Sequence, residues 1–425
     1  MQKTTTPHKL PVRQLAAASS GNALEWFDWT IYATFSVYFA TEFFPKGNEV
    51  LALINTFATY ALAFFFRPLG GVLLGRFADT RGRKPAMLLT ILLMAAGSVV
   101  IAVLPTFEQV GWLSPILLLL ARVGQGLSLG GEASSTSVYF AEIAPADRRG
   151  RYSSFFYIST GSAVLVATVL GFGLSRVLDD AAMASWGWRV PFLMGGVIGL
   201  IGLWLRRTMP ETELFRENQT AAQRVRAPLR VTLREHPRAV GQLVGFSMLS
   251  TLCYYTFFSA LTPFAVNTRK ADPEVVFLAL SIATVVFIAL QYPMGWAADR
   301  FGRKPQLLVW SGLTAVLIFP LSLLVTPALG NLVLVFTVGL ALYTAMTSIA
   351  PALMSELFPT RLRALGIGAW YNLTVAVFGG TAPLLISALS GAGLPNVFFL
   401  YVTGAAVVAF LVILTLPETK GAELE

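Results

Sequence analysis

Five ionisable residues, Glu25, Asp28, Arg67, Arg122 and Glu132, lie inside long stretches that are otherwise apolar. Such residues are costly in a bilayer and mark ion and substrate pathways. A carboxylic acid there can carry a proton. A guanidinium offers paired donors that match the two oxygens of a carboxylate. The spacing groups them. Asn22, Glu25, Asp28 and Tyr32 recur at helical intervals and form one stripe, and Gln125 shares a helix face with Glu132 two turns on. Arg67 precedes Gly75 by eight residues, which places it about 12 Å in from the end of its helix, near the middle of a ~30 Å hydrocarbon core. Arg122 follows Pro115 by seven residues and lies about 10 Å in from the opposite end.

Each residue has a plainer reading beside the functional one. Arg67 at that depth requires an anion, either a protein carboxylate or an anionic substrate. Arg122 facing Asp28 is a structural ion pair or a pair whose acid carries a proton. No histidine competes for that role, because His8 and His236 both lie in polar segments. Asp28 is therefore the first proton-coupling candidate, followed by Glu132 and Glu25. The second half of the chain has no Lys, Arg, Asp or Glu inside its apolar stretches and offers Tyr254, Tyr255, Tyr343, Thr344, Thr347, Tyr371 and Asn372 instead. Tyr254, Tyr255, Tyr371 and Asn372, with Tyr32 and Gln125, line a binding site or simply pack. The charge of any shared cavity would come from the first half.

The elements that position these residues are helices. Hydrophobic residues make up 55% of the 425 and charged residues 12%, about half the charge of a soluble domain. Twelve stretches are long enough to span a bilayer: 21–44, 51–75, 85–105, 115–142, 153–176, 189–206, 240–266, 275–298, 306–326, 330–356, 365–388 and 395–416. The expected fold is an all-α membrane protein with twelve transmembrane helices in two pseudo-symmetric six-helix bundles. The divisions are 1–206, a polar linker at 207–239, and 240–425. The lone Cys253 reads as a buried thiol, and the polar residues up to Ser20 predict no cleaved signal peptide. With both termini cytoplasmic, 24 of the 31 Lys and Arg residues fall on the cytoplasmic side. That bias follows the positive-inside rule and explains the net charge of +9 without a nucleic-acid partner. The bilayer itself is the expected partner.

The halves repeat. Gly75, Asp79, Arg83 and Lys84 recur as Gly295, Asp299, Arg303 and Lys304; Glu142 recurs as Glu356, and Glu211 as Glu418, at offsets of 220, 214 and 207 residues. In each G-x-x-x-D-x-x-G-R-K loop the glycine permits close backbone approach. The aspartate can receive the positive end of a neighbouring helix or pair with an arginine. Gly75, Asp79, Arg83, Gly295, Asp299 and Arg303 are thus expected to form a latch that holds one conformation, away from any substrate.

These blocks resemble a known family. SSGNALEWFDW, FFFRPLGGVLLGRFADTRGRK, ARVGQGLSLGGE, SWGWRVPF and LWLRRTMPET are similar to the metabolite:proton symporter branch of the major facilitator superfamily, and the likeness covers nearly the whole chain. It implies the major facilitator fold and proton-coupled import of a small anionic metabolite across a bacterial inner membrane by alternating access. The implied substrate is a carboxylate such as 2-oxoglutarate or a related di- or tricarboxylate. No cofactor is implied beyond the proton gradient, and a monomer is expected. The arginine of the family's R-P-x-G-G segment matches Arg67 and that of W-G-W-R-x-P matches Arg189, which makes both substrate-binding candidates. The acid of E-W-F-D matches Asp28, and the arginine opening R-x-x-Q-G matches Arg122. Other members carry citrate, shikimate or the osmolytes proline and betaine; the chain runs only seven residues past Glu418, short of the coiled-coil tail usual in osmolyte carriers. A drug efflux pump is the alternative that mid-membrane arginines disfavour. No metal constellation, nucleophile motif or phosphate loop points to an enzyme.

Overall fold

A backbone surrounded by hydrocarbon has to satisfy its N–H and C=O groups internally, and this chain does so with helices. The computed structural model describes residues 12–45, 48–81, 83–129, 144–207, 228–358 and 367–422, and they contain no β-strand. Nine of the described helices are long and apolar enough to cross a membrane, and 88–103 and 113–129 are shorter apolar helices. With Val12–Phe43 they make twelve spans. Their outer surfaces stay apolar: Val177, Leu200, Val316 and Leu411 are all exposed.

The spans follow the sequence expectation with shifted ends. Span 1 begins at Val12. Span 4 is described over Leu113–Leu129, so Glu132 lies outside the described residues. Span 7 starts at Pro237, inside the expected linker, whose described part also forms a short helix, Pro228–Glu235. The side chains of Asp79 and Arg83 and the surroundings of Gly75 also lie outside what is described.

Across the seam between the halves, span 5 (Arg149–Val177) runs along span 8 (Pro273–Phe301), and span 2 packs on span 11. Advancing the second pair by six spans gives the first, as expected of parallel repeats related by a two-fold axis. Two places show how small residues set these contacts. A Cβ at Gly126 would strike the carbonyl of Ala63, and one at Gly70 the carbonyl of Leu127. Spans 2 and 4 therefore touch backbone to backbone beside both buried arginines. A Cβ at Gly295 would stand 2.6 Å from the carbonyl oxygen of Gly150, so spans 5 and 8 cross equally closely.

Three spans depart from regular geometry near the seam. Span 2 breaks at Phe66, between Glu49–Phe65 and Arg67–Arg81. Pro68 lacks the N–H that would continue the ladder, and the new segment starts on Arg67. Span 7 contains π-helical turns at Thr256–Ala260 and Phe264–Thr268, and span 11 at Ile367–Tyr371 and Val375–Gly379. Such turns concentrate at functional sites. Here the first in span 7 begins immediately after Tyr255, and the first in span 11 ends on Tyr371.

Candidate functional site

Asp28 and Arg122 meet inside the first bundle. Arg122 Nη1 lies 3.4 Å from Asp28 Oδ2, and their side chains are 0% and 1% exposed. Ser98 Oγ donates to Asp28 Oδ1. Arg122 Nη1 also donates to Gln125 Oε1 at 2.7 Å, while Gln125 Nε2 donates to Ser98 Oγ at 3.1 Å. The guanidinium lies over the rings of Trp29 and Tyr32, with centroids at 4.0 and 4.1 Å, and 5.4 Å from Tyr60. Cation–π contacts of this kind are stronger when desolvated, so the cage supports a charge that no water reaches.

Arg67 belongs to a second pair. Its Nη2 stands 3.7 Å from Glu25 Oε1, with 2% and 5% of the two side chains exposed. The anion that the depth of Arg67 demands is thus supplied, in this conformation, by a protein carboxylate. Phe64 connects the two pairs: its ring is 5.2 Å from the Arg67 guanidinium and 4.3 Å from the Trp29 ring that covers Arg122.

Arg67 also opens onto a cavity between the halves. Trp26, Arg67, Phe156 and Tyr157 line it from the first half, and Thr251, Tyr254, Tyr255, Tyr343, Met354, Tyr371 and Val375 from the second. Its volume is about 20 Å³, space for roughly one water. The halves also touch above and below it: Arg176 bridges to Glu274 at 3.4 Å on one face, and Arg151 to Asp299 at 3.1 Å on the other. A larger hollow of about 280 Å³ lies between spans 2, 7 and 11, lined by Glu49, Asn267, Lys270 and Ser390 among others.

The structure thus brings Arg67, Tyr254, Tyr255 and Tyr371 together and leaves other candidates elsewhere. Tyr32 donates to the Thr56 carbonyl at 3.1 Å and covers Arg122. Gln125 serves the Asp28–Arg122 pair. Asn372 is buried next to Tyr371 but does not line the cavity. Arg189 stands away from the cavity in this structure. Its Nη1 donates to the carbonyls of Ala102 and Leu104 at 2.7 and 2.9 Å, and its guanidinium stacks on Trp188 at 4.3 Å. Those carbonyls end span 3, where a helix carries partial negative charge; Arg189 fastens span 6 to span 3. Trp26, Tyr157 and Ser98 escaped the sequence reading, since nothing distinguishes them from packing residues in an apolar helix.

On the basic face, Asp299 receives the N-terminal end of span 5. Gly150 N–H donates to Oδ1 at 2.8 Å, and Arg151 donates to Oδ2 through its backbone N–H and its Nε, each at 3.1 Å. Nearby, Glu356 is shared by Arg149 of the first half at 3.1 Å and Arg303 of the second at 2.7 Å. Glu418 accepts from the N–H groups of Arg303 and Lys304 at 3.0 and 3.1 Å. Gly295, Asp299 and Arg303 therefore stand where a latch between the halves would be. Contacts made in one state and absent from another shift the balance between them, and hydrogen bonds to a charge contribute about 1.5–3 kcal/mol each. In Asp299→Asn, a cysteine introduced at Met354, with Cys253 replaced by serine, is expected to label roughly ten times faster from the basic face. Unchanged labelling would remove Asp299 from the latch.

Comparison with known proteins agrees with this architecture. The family model described as Major Facilitator Superfamily matches residues 18–369 and 243–424. The alpha-ketoglutarate permease of Escherichia coli (strain K12) is 38% identical over 97% of this chain and 95% of its own length. A putative proline/betaine transporter of Staphylococcus haemolyticus (strain JCSC1435) is 34% identical over 96% and 88%. Among solved structures, a D-xylose–proton symporter superposes with a TM-score of 0.72 at 22% identity, covering 97% of this chain and 99% of its own. A partially occluded inward-open form of the xylose transporter XylE from Escherichia coli gives 0.74 at 20%, covering 96% and 98%. At those identities the two structures bear on the fold alone.

Proposed function

The chain belongs to the major facilitator superfamily, and from that premise we propose that it is a proton-coupled symporter importing a small carboxylate metabolite, 2-oxoglutarate or a related di- or tricarboxylate. It is a multi-pass membrane protein and a transporter, not an enzyme. In this reading it lies in a bacterial inner membrane with both termini and the basic face in the cytoplasm. It works as a monomer, draws on the proton gradient and needs no cofactor.

One observation carries the reading: a buried guanidinium, Arg67, faces the cavity between the halves. An anionic substrate in that cavity has a bidentate partner ready. Asp28, caged with Arg122, is the acid whose protonation would loosen the first bundle. The relative named for alpha-ketoglutarate supports the same class.

A second reading rests on a different feature. Among the described lining residues Arg67 is the one cation, it already faces Glu25, and the remainder is largely aromatic. Aromatic boxes favour methylated ammonium groups, so a zwitterion such as betaine would use the guanidinium for its carboxylate and the rings for its other end. Uptake into proteoliposomes of 2-oxoglutarate, succinate, citrate and betaine, with and without an imposed proton gradient, separates the readings. Gradient-driven accumulation of 2-oxoglutarate is the expected result. Accumulation of betaine alone favours the second reading, and indifference to the gradient for every compound ends the symport proposal.

A further inference from the structure

We propose that the hollow between spans 2, 7 and 11 is a second ligand site. It fits a small zwitterion, with a primary ammonium and an anionic oxygen group separated by a short chain. A free ω-amino acid and the headgroup of phosphatidylethanolamine share that chemistry. The hollow stands apart from the cavity that Arg67 faces: Asn267 in its wall is twelve residues beyond Tyr255 in span 7, about 18 Å along the helix. Its wall comes from the start of span 2 and the ends of spans 7 and 11. It therefore lies at headgroup level, on the face opposite the basic loops.

The wall carries one charge of each sign, from different halves. Glu49 opens span 2, and Lys270 follows span 7. Neither side chain has an ion pair or a hydrogen bond with the protein. The space that keeps them apart measures about 280 Å³, far more than one water needs and close to the lower end for small-molecule sites.

Other polar groups in the wall are equally uncommitted. Asn267 Nδ2 donates to the Pro263 carbonyl at 3.0 Å, which leaves the side-chain oxygen to accept from an ammonium. Ser390 Oγ is buried and has no partner. Ser387 is 7% exposed, and its hydroxyl makes no bond to the protein. Buried polar atoms are nearly always satisfied, so these two hydroxyls are spare donors for an anionic oxygen. Leu53 and Ile386, both buried, give the ligand's methylene groups an apolar floor.

The backbone holds the cation in place. Lys270 has φ 59 and is the one non-glycine residue with positive φ among those described. It caps span 7, where Ala271 N–H donates to the Ala265 carbonyl at 2.9 Å. Glycine is the usual residue at such a cap, and side chains held in this conformation concentrate at ligand clamps. Behind it, the Arg269 guanidinium lies 5.3 Å from the ring of Phe264, which also lines the hollow. A lone anion would meet Glu49 unopposed, and a lone cation would meet Lys270. A ligand with both charges answers both, and it ties the two halves together at this face. Such a ligand favours the state in which these ends are close.

The test uses the purified full-length protein in nanodiscs of phosphatidylcholine and phosphatidylglycerol. A ligand of the folded state raises the unfolding temperature. The probes are 4-aminobutyrate and glycerophosphoethanolamine, with butyrate and butylamine as single-charge controls. Both zwitterions are expected to give a saturable rise, and the controls to need at least about tenfold higher concentrations. Glu49→Gln and Lys270→Gln should each weaken the zwitterions about tenfold or more, while Arg67→Lys leaves the response unchanged. Both residues are exposed, so the variants should fold. Lys270→Gly, which relieves the left-handed backbone, should unfold at a higher temperature and still lose the response. Nanodiscs of phosphatidylethanolamine separate the two sources. A tenfold loss of apparent affinity there identifies the lipid headgroup as occupant, and an unchanged affinity identifies the free solute. No response to either zwitterion overturns the proposal. So does an equal response to butyrate or butylamine, or a response that survives Glu49→Gln and Lys270→Gln but disappears in Arg67→Lys.

Discussion

Asp28→Asn is expected to reduce gradient-driven accumulation to the level of liposomes without protein, while exchange of internal for external substrate continues. Asparagine imitates the protonated acid permanently, and exchange needs no net proton movement. The variant should still fold. Breaking a buried ion pair costs about 3–5 kcal/mol when a charge is left uncompensated. Arg122, however, keeps its bond to Gln125 and its place over Trp29 and Tyr32. The amide oxygen at position 28 can still accept from Ser98. Thermal unfolding should therefore shift by less than the loss of function suggests. Survival of accumulation in Asp28→Asn would place the coupling proton elsewhere, with Glu25 and Glu132 next to be examined.

Arg67→Lys is expected to lower kcat/KM for uptake about 100-fold, or ~2.7 kcal/mol of transition-state binding, with normal amounts of protein in the membrane. A lysine keeps the charge but replaces the planar fork with a point charge on a flexible stem. It also loses the flat face that lies near Phe64. The ammonium can still neutralise Glu25, so the bundle should remain intact and the defect should appear in transport. Full activity in Arg67→Lys would take Arg67 out of the site.

The sequence revealed the depth of the two arginines because charges inside apolar helices are conspicuous. It did not reveal how they pair. Glu25 and Asp28 stand one turn apart on one stripe, and either could have faced either guanidinium. The choice depends on where spans 2 and 4 lie against span 1, and Gly70 and Gly126 fix only how closely those two approach each other. The motif around Arg189 carried no sign of the partners it has here, two carbonyls at the far end of span 3. The loop aspartate was legible as a receptor for a helix end. The donors it meets were not, although Gly150 among the arginines of RRGR is the small residue such a contact needs. The aromatic cage around Arg122 had no signature at all, since Trp29 and Tyr60 look the same whether they cover a cation or a leucine.

The pairing of both buried arginines has an electrical consequence. Among the described residues, Arg122 with Asp28 and Arg67 with Glu25 form two ion pairs, each neutral as a pair. A transmembrane voltage acts on moving charge, at about 2.3 kcal/mol per elementary charge for each 100 mV. It exerts no net force on a pair of opposite charges that moves together. The return of the unloaded carrier should therefore proceed at the same speed at any voltage, and voltage steps applied without substrate should evoke no charge movement. A transient current under those conditions would show that one pair is not neutral during the return. If the core stays silent, the voltage works on this transporter only through the cargo, so the driving force it can add is set by the net charge of the substrate and protons that cross together.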